Sequence, residues 1–362
     1  MSDAPSNSTA PRPVTGDGPE AGQLDHMAFF EEQMAPATPS EAESQENESD
    51  SGLDDEQDSD KSMTSSIYRY ENFHDRTYHS DRFVSTYWAP NDRPQGDAME
   101  LYHDLFCAVF NGKLCFAQFP KNTQKILDVG TGTGAWAIEV GDSQPQSVVI
   151  GIDMSPIQPE YVPSNVQIDD LNESWTFSDN SLDYVHMRFL AGSVRNWKFT
   201  MKEAYRCLRT GGILESSEPS FVIESDDGTV DEHSAWNQWP RIFDKYGKQT
   251  GQTFSVVQHG IQKGAIEEAG FSNVEEFNCK IPIGSWPEDR EQRQLGQYAQ
   301  KVMETDALGF IMRPAASIGW TIEQIENYKA SLQAEMTSNT THPWYWFKTV
   351  WGCKMPTSSA SA

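Results

Sequence analysis

Asp128, Gly130, Gly132 and Gly134 stand at every second position of Ile-Leu-Asp-Val-Gly-Thr-Gly-Thr-Gly, residues 126–134, with Thr131 between the first two glycines. Glycine has no Cβ, so a turn built this way can pass through positive φ and lay bare backbone against a ligand. A carboxylate at the head of such a turn can hold a cationic or hydroxyl-bearing part of that ligand. The apolar residues before Asp128 read as a strand, and Ala135-Trp136-Ala137-Ile138-Glu139-Val140 as the start of a helix. Strand, glycine turn and helix together open a nucleotide-type site in an α/β sheet.

The spacing narrows the ligand. A dinucleotide fingerprint reads G-x-G-x-x-G and sets a pyrophosphate on the helix N-terminus. Here the pattern is D-x-G-x-G-x-G, one residue shorter before the last glycine. It points to an adenosyl ligand without phosphate, which we read as S-adenosylmethionine. The next apolar run, 147–152, ends in Asp153, 19 residues beyond Gly134 and well placed to accept from ribose hydroxyls. Asn165-Val166-Gln167-Ile168 then ends in Asp169-Asp170, and Asp183-Tyr184-Val185-His186-Met187 carries an imidazole near its end. Ligands of open sheets lie outside the carboxyl ends of the strands, and all these polar residues fall there.

Positioning them requires further elements. A helix is predicted from Asp97 to Phe110 with Asn111-Gly112 as its stop, and another near 197–208 that ends before Gly211-Gly212. A fifth strand covers Ile213-Leu214-Glu215 and runs on toward Glu218. Helices follow at 233–247, 261–269, 288–307 and 322–336, with strands at 273–283 and 342–351. The roughly 60 residues between those two strands are too many for a hairpin turn and read as a helical cap over an acceptor pocket. The expected architecture is α/β and Rossmann-like. Its core sheet lies at about 122–220, with cap and edge strands at about 221–354, inside a domain spanning 67–362.

Charge divides the chain of 362 residues. Residues 1–66 hold 16 Asp and Glu against Arg12 and Lys61, a net of −14, while the remainder carries −13 of the total −27. The first segment has only Phe29 and Phe30 as aromatics, so it is expected to be a disordered acidic tail. Acidity in both parts argues against direct nucleic-acid binding, which calls for a basic face. No membrane-length apolar run or secretory signal is present, so an intracellular protein, cytoplasmic or nuclear, is expected. The five cysteines form no C-x-x-C pair, which points to reduced thiols and no metal site.

The motifs D-V-G-T-G-T-G-A-W-A-I-E, G-I-D-M-S-P-I-Q-P, V-P-S-N-V-Q-I-D-D, D-Y-V-H-M-R and L-R-T-G-G-I-L-E resemble the class I S-adenosylmethionine-dependent methyltransferases. More narrowly, they resemble the fungal LaeA-like branch, which includes regulators of secondary metabolism and methyltransferases of metabolite gene clusters. The resemblance covers roughly 68–354 and includes the closing His342-Pro343-Trp344-Tyr345-Trp346-Phe347. It implies a seven-stranded sheet. It also implies that Asp128 and the three glycines face the methionyl part, Asp153 the ribose and Met154 the adenine. Asp170 and Leu171 would meet the adenine edge, and His186 would lie beside the sulfonium. The family often carries E-N-G-R-x-Y-H ahead of the sheet. Here Glu71-Asn72-Phe73-His74-Asp75-Arg76-Thr77-Tyr78-His79 is two residues longer and lacks the glycine.

Methyl transfer from a sulfonium needs alignment and a dry site more than it needs a base. His186 is the candidate for any base that is needed, set against a wall or orienting role, with Tyr78, His79 and Glu218 behind it. Trp236, Trp239 and Trp286 could line an aromatic pocket, although such spacing more often marks core. His103 is expected to face solvent or core. Two functions follow: a methyltransferase acting on a small-molecule acceptor in fungal secondary metabolism, or a LaeA-like regulator working through protein partners.

Overall fold

In the computed structural model, which describes residues 69–79, 87–159, 165–338 and 340–356, a two-stranded hairpin comes first. The acidic segment 1–66 lies outside these residues. Strands β1 (Glu71–Phe73) and β2 (Arg76–Tyr78) pair antiparallel around His74 and Asp75, at φ 50° and 60°. Two consecutive positive φ values make the two-residue turn that suits a twisted hairpin. The two extra residues of this segment therefore form a tight turn, and Arg76-Thr77-Tyr78-His79 resumes beyond it.

Helix α1 (Arg93–Val109) follows, then β3 (Lys125–Val129), α2 (Ala135–Ser143), β4 (Val148–Asp153), β5 (Asn165–Ile168), β6 (Leu182–Arg188) and α3 (Trp197–Cys207). The second half runs β7 (Leu208–Glu224), α4 (Ala235–Thr250), α5 (Ile261–Ala269), β8 (Ser272–Pro282), α6 (Arg290–Ser317), α7 (Ile322–Ser338) and β9 (Trp344–Cys353). The large sheet has the order β5-β4-β3-β6-β7-β9-β8. Strands β3 to β7 pair in parallel, and β9 runs antiparallel between β7 and β8. Strand order reverses at β3, and the crevice at its carboxyl end is where an open sheet takes a ligand. Ile126, Leu127, Val129, Ile152, Val185 and Met187 are buried because parallel strands are covered on both faces.

Several boundaries depart from the sequence expectation for identifiable reasons. Helix α1 begins four residues earlier, because Asp92 caps it by accepting from Gln95 N and Pro94 suits a first turn. Strand β7 begins at Leu208, before Gly211-Gly212 rather than after it. Gly211 takes φ 83° and a register shift on β6 absorbs the irregularity, so β7 runs for 17 residues. Helix α6 continues past 307 through a break at Asp306, whose φ of −149° and ψ of 48° are not helical.

That break is held by charge. Arg76 donates Nη1 and Nη2 to the two Asp306 oxygens at 2.9 and 2.6 Å, and Nε and Nη2 to the two Asp92 oxygens at 2.6 and 2.7 Å. One guanidinium thus ties the hairpin to the start of α1 and to the middle of α6. Burial opposes its charge, but the hydrogen bonds it donates to both carboxylates, together with their negative charge, outweigh that and raise its pKa.

Candidate functional site

A cleft opens at the carboxyl ends of β3, β4 and β6. Its floor is the glycine turn. Gly130 and Gly132 line it at φ 71° and 58°, and a Cβ built on Gly132 would meet no protein atom within 4 Å. The bare backbone of Gly132 therefore opens space for a ligand rather than for packing. Gly130 has another reason: a Cβ there would lie 2.5 Å from Leu190 Cδ2. Gly134 does not line the cleft. It takes φ 85° as the N-cap of α2 and shapes the turn from behind.

Asp153, at the end of β4, is turned toward this loop. One carboxylate oxygen accepts from Gly132 N at 2.8 Å and the other from Ser155 N at 2.9 Å. Burial raises its pKa against those backbone hydrogen bonds. Each oxygen keeps a lone pair for a ligand hydroxyl. Met154, Asp169 and Leu171 line the same wall. Asp170 departs from the expectation that it meets the adenine edge. It is buried away from the cleft and accepts from Asn172 N at 3.0 Å. Adjacent residues of an extended chain point to opposite faces, and here Asp169 takes the cleft side.

Asp128 and His186 form one unit. His186 Nδ1 lies 2.7 Å from Asp128 Oδ1, while Thr131 Oγ1 donates to Asp128 Oδ2 at 2.6 Å. A carboxylate only accepts, so the His186 ring proton sits on Nδ1. Trp136 stacks on the imidazole with centroids 3.7 Å apart and planes 6° apart. Burial lowers the His186 pKa against the pull of Asp128. The result is a neutral ring fixed on two sides in the cleft wall, and both Asp128 oxygens are engaged within the protein.

The weaker candidates separate. His79 lines the cleft, and its Nε2 accepts from Tyr87 N at 2.9 Å. Tyr78 does not line it: its ring lies 3.7 Å from the Arg313 guanidinium. Glu218 does not face an acceptor either. It is buried and accepts from Leu190 N and Ala191 N at 2.8 and 3.0 Å, and burial raises its pKa to about 8. Its work is to hold the loop after β6.

That loop divides the cleft from a second cavity, and Phe189 lines both. Trp236 and Trp239 of α4 line the second cavity with Phe221, Ala299, Met303 and Phe310. Trp286 does not: its indole donates to Pro343 O. Residues missed in the sequence include Asn91, Gln95 and Met99, which reach the cleft from α1 or just before it, with His103 and Arg188. Gln158, within G-I-D-M-S-P-I-Q-P, donates Nε2 to Gly132 O at 2.6 Å and braces the turn. The signal for it was its position just beyond Asp153.

Sheet order, glycine turn and strand-tip cleft together define the Rossmann-like class I methyltransferase fold. Residues 101–276 match the methyltransferase-domain family. The chain is 32% identical over 285 residues to Methyltransferase pytC of Aspergillus terreus, covering 78% of this chain and 87% of that one. It is 30% identical over 274 residues to the Secondary metabolism regulator laeA of Aspergillus fumigatus, covering 74% and 72%. The Protein-methionine methyltransferase laeA of Emericella nidulans matches at 28% over the same length. The chain belongs to the LaeA-like methyltransferase family, and its methyl donor is S-adenosylmethionine. Among the described residues no helix is long and apolar enough to cross a membrane.

Proposed function

We propose that this methyltransferase modifies a small, largely apolar, ring-bearing molecule of secondary metabolism, held in the cavity under the cap. The observation that carries this is the aromatic cavity behind Phe189, which adjoins the donor cleft and is lined by Trp236, Trp239, Phe221 and Phe310. Such walls favour a flat apolar acceptor over a charged or extended one. In the cleft, Asp153 would accept from the ribose hydroxyls, Met154, Asp169 and Leu171 would border adenine, and Asp128, Gly130, Thr131 and Gly132 would border the methionyl chain. The donor supplies an electrophilic methyl on a sulfonium. An oxygen, nitrogen or carbon of the acceptor forms the new bond as the carbon–sulfur bond breaks, its electron pair staying on sulfur.

The protein's part is alignment and exclusion of water. His186, clamped by Asp128 and Trp136, serves to shape the floor rather than to take the acceptor's proton. A protein acceptor is the second reading, favoured by the likeness to a relative named a protein-methionine methyltransferase. Cells with and without the gene, fed methyl-labelled methionine, decide between them. Loss of label from one compound of low molecular mass supports the cavity as the acceptor site. Loss confined to the protein fraction overturns it.

A further inference from the structure

Arg188 ends β6, two residues after His186, so both side chains leave the same face of the sheet. The residue lines the donor cleft. Its Nη2 donates to His103 Nδ1 at 2.9 Å, and its Cζ lies 5.1 Å from the centre of the Phe106 ring. Because arginine only donates, His103 Nδ1 is an acceptor, which leaves the ring proton on Nε2, 3.3 Å from Glu139 Oε2. The imidazole therefore holds the guanidinium in place without supplying the negative charge it lacks.

That absence sets Arg188 apart. Arg76 has two carboxylates in contact, Arg206 has Glu203 and Asp179, and Arg313 has Glu71. Among the described residues no ion pair includes Arg188. Burial lowers its pKa against the pull of Cys107, Asp128, Glu215 and Glu139, none of which forms an ion pair with it, yet a guanidinium does not give up its proton. A half-buried cation without a contacting anion leaves part of its desolvation cost unreturned, which an anionic ligand would offset.

Sheet order says which part of the ligand comes near. The ribose contact proposed for Asp153 is at the tip of β4, and β6 lies on the far side of β3 from it. Two strand spacings, about 10 Å, separate those tips. A donor lying across the glycine turn with its adenosyl end at β4 brings its amino-acid end toward β6 and α1, where Arg188 and His103 meet. The free N–H groups of a guanidinium fork match the two oxygens of a carboxylate. We propose that Arg188, oriented by His103, binds the α-carboxylate of the methyl donor. This rests on the placement of the donor in the cleft given above.

Calorimetry with S-adenosylhomocysteine and its decarboxylated analogue, which keeps the ammonium, tests it on wild type, Arg188→Gln and Arg188→Lys. Wild type should bind S-adenosylhomocysteine about tenfold or more tighter than the analogue, and Arg188→Gln should remove that preference while leaving the analogue's affinity within about twofold. Arg188→Lys should restore part of the preference, since it keeps the charge and loses the fork. Wild type showing no preference overturns the proposal even if Arg188→Gln fails to fold. Equal weakening of both ligands also overturns it, assigning Arg188 to structure alone. Failure of wild type to bind either ligand would instead remove the donor cleft itself.

Discussion

The donor cleft and the cap cavity share Phe189 but are built differently. Most of the donor cleft comes from the ends of β3, β4 and β6 and the loops that leave them, so much of its contact surface is backbone or a side chain fixed by backbone. The cap cavity is a set of rings and aliphatic groups gathered from α1, α4, α6, the far end of β7 and β9. Backbone resists change because altering it disturbs the sheet. Side chains projected from helices can be exchanged at little cost to the fold. A common donor and a variable acceptor are what such a division supports.

The largest effect tests whether the cap depends on the charge that anchors it. Arg76→Ala leaves buried Asp306 and half-buried Asp92 without their cation, and should cost about 3–5 kcal/mol in denaturant unfolding. A loss under about 1 kcal/mol would mean that α6 is held by apolar packing alone.

Next comes the backbone character of the donor side. Gly132→Val forces a branched side chain to φ 58° and fills the ligand's space, and should weaken S-adenosylhomocysteine roughly 100-fold or more with the circular dichroism unchanged. Normal affinity in that variant would mean the ligand does not approach this turn.

The wall between the two cavities should respond to pH. Glu218 holds Leu190 and Ala191, and its pKa is raised to about 8. Below the ordinary carboxyl pKa both folded and unfolded chains carry the proton. As pH rises toward 8 only the unfolded chain gives it up, so stability falls across that window by about 1.4 kcal/mol per unit. Glu218→Gln should lack this component, and parallel pH profiles for the two proteins would show that Glu218 is ionised throughout.

The smallest effect is a null that sharpens the contrast. Trp239→Phe in the cap cavity should leave donor affinity within about 0.5 kcal/mol, since it lines only the second space. A larger change would show that the two cavities are coupled through Phe189.

The sequence revealed these halves unequally for the same physical reason. Apolar runs ended by Asp128, Asp153 and Asp169 are local signals, and a parallel sheet brings their ends together without further information. The presence of a cap could be inferred from the long insertion between β8 and β9. Its lining was legible only in part: Trp236 and Trp239 stand out as possible pocket walls, whereas Phe310 and Tyr345 join them only through tertiary packing. Arg188 closes the motif D-Y-V-H-M-R, yet nothing local tells that His103, 85 positions earlier, comes to meet it. Asp306 is similar: its neighbours continue a helical pattern, and the break requires a guanidinium supplied by a distant hairpin. The tight turn at His74-Asp75 was hidden for another reason, since neither residue is the glycine that commonly signals positive φ.

The staple at Arg76 also has a consequence in time. Asp306 is 230 positions beyond Arg76, a gap that ribosomes cross in roughly 10–50 s. Throughout that interval the guanidinium has Asp92 but not Asp306, so the hairpin and the first helix wait on a residue not yet made. Nascent chains arrested before Asp306 should therefore expose the hairpin to protease, and chains arrested well beyond it should not. Protection in the earlier set would mean the hairpin closes without the cap.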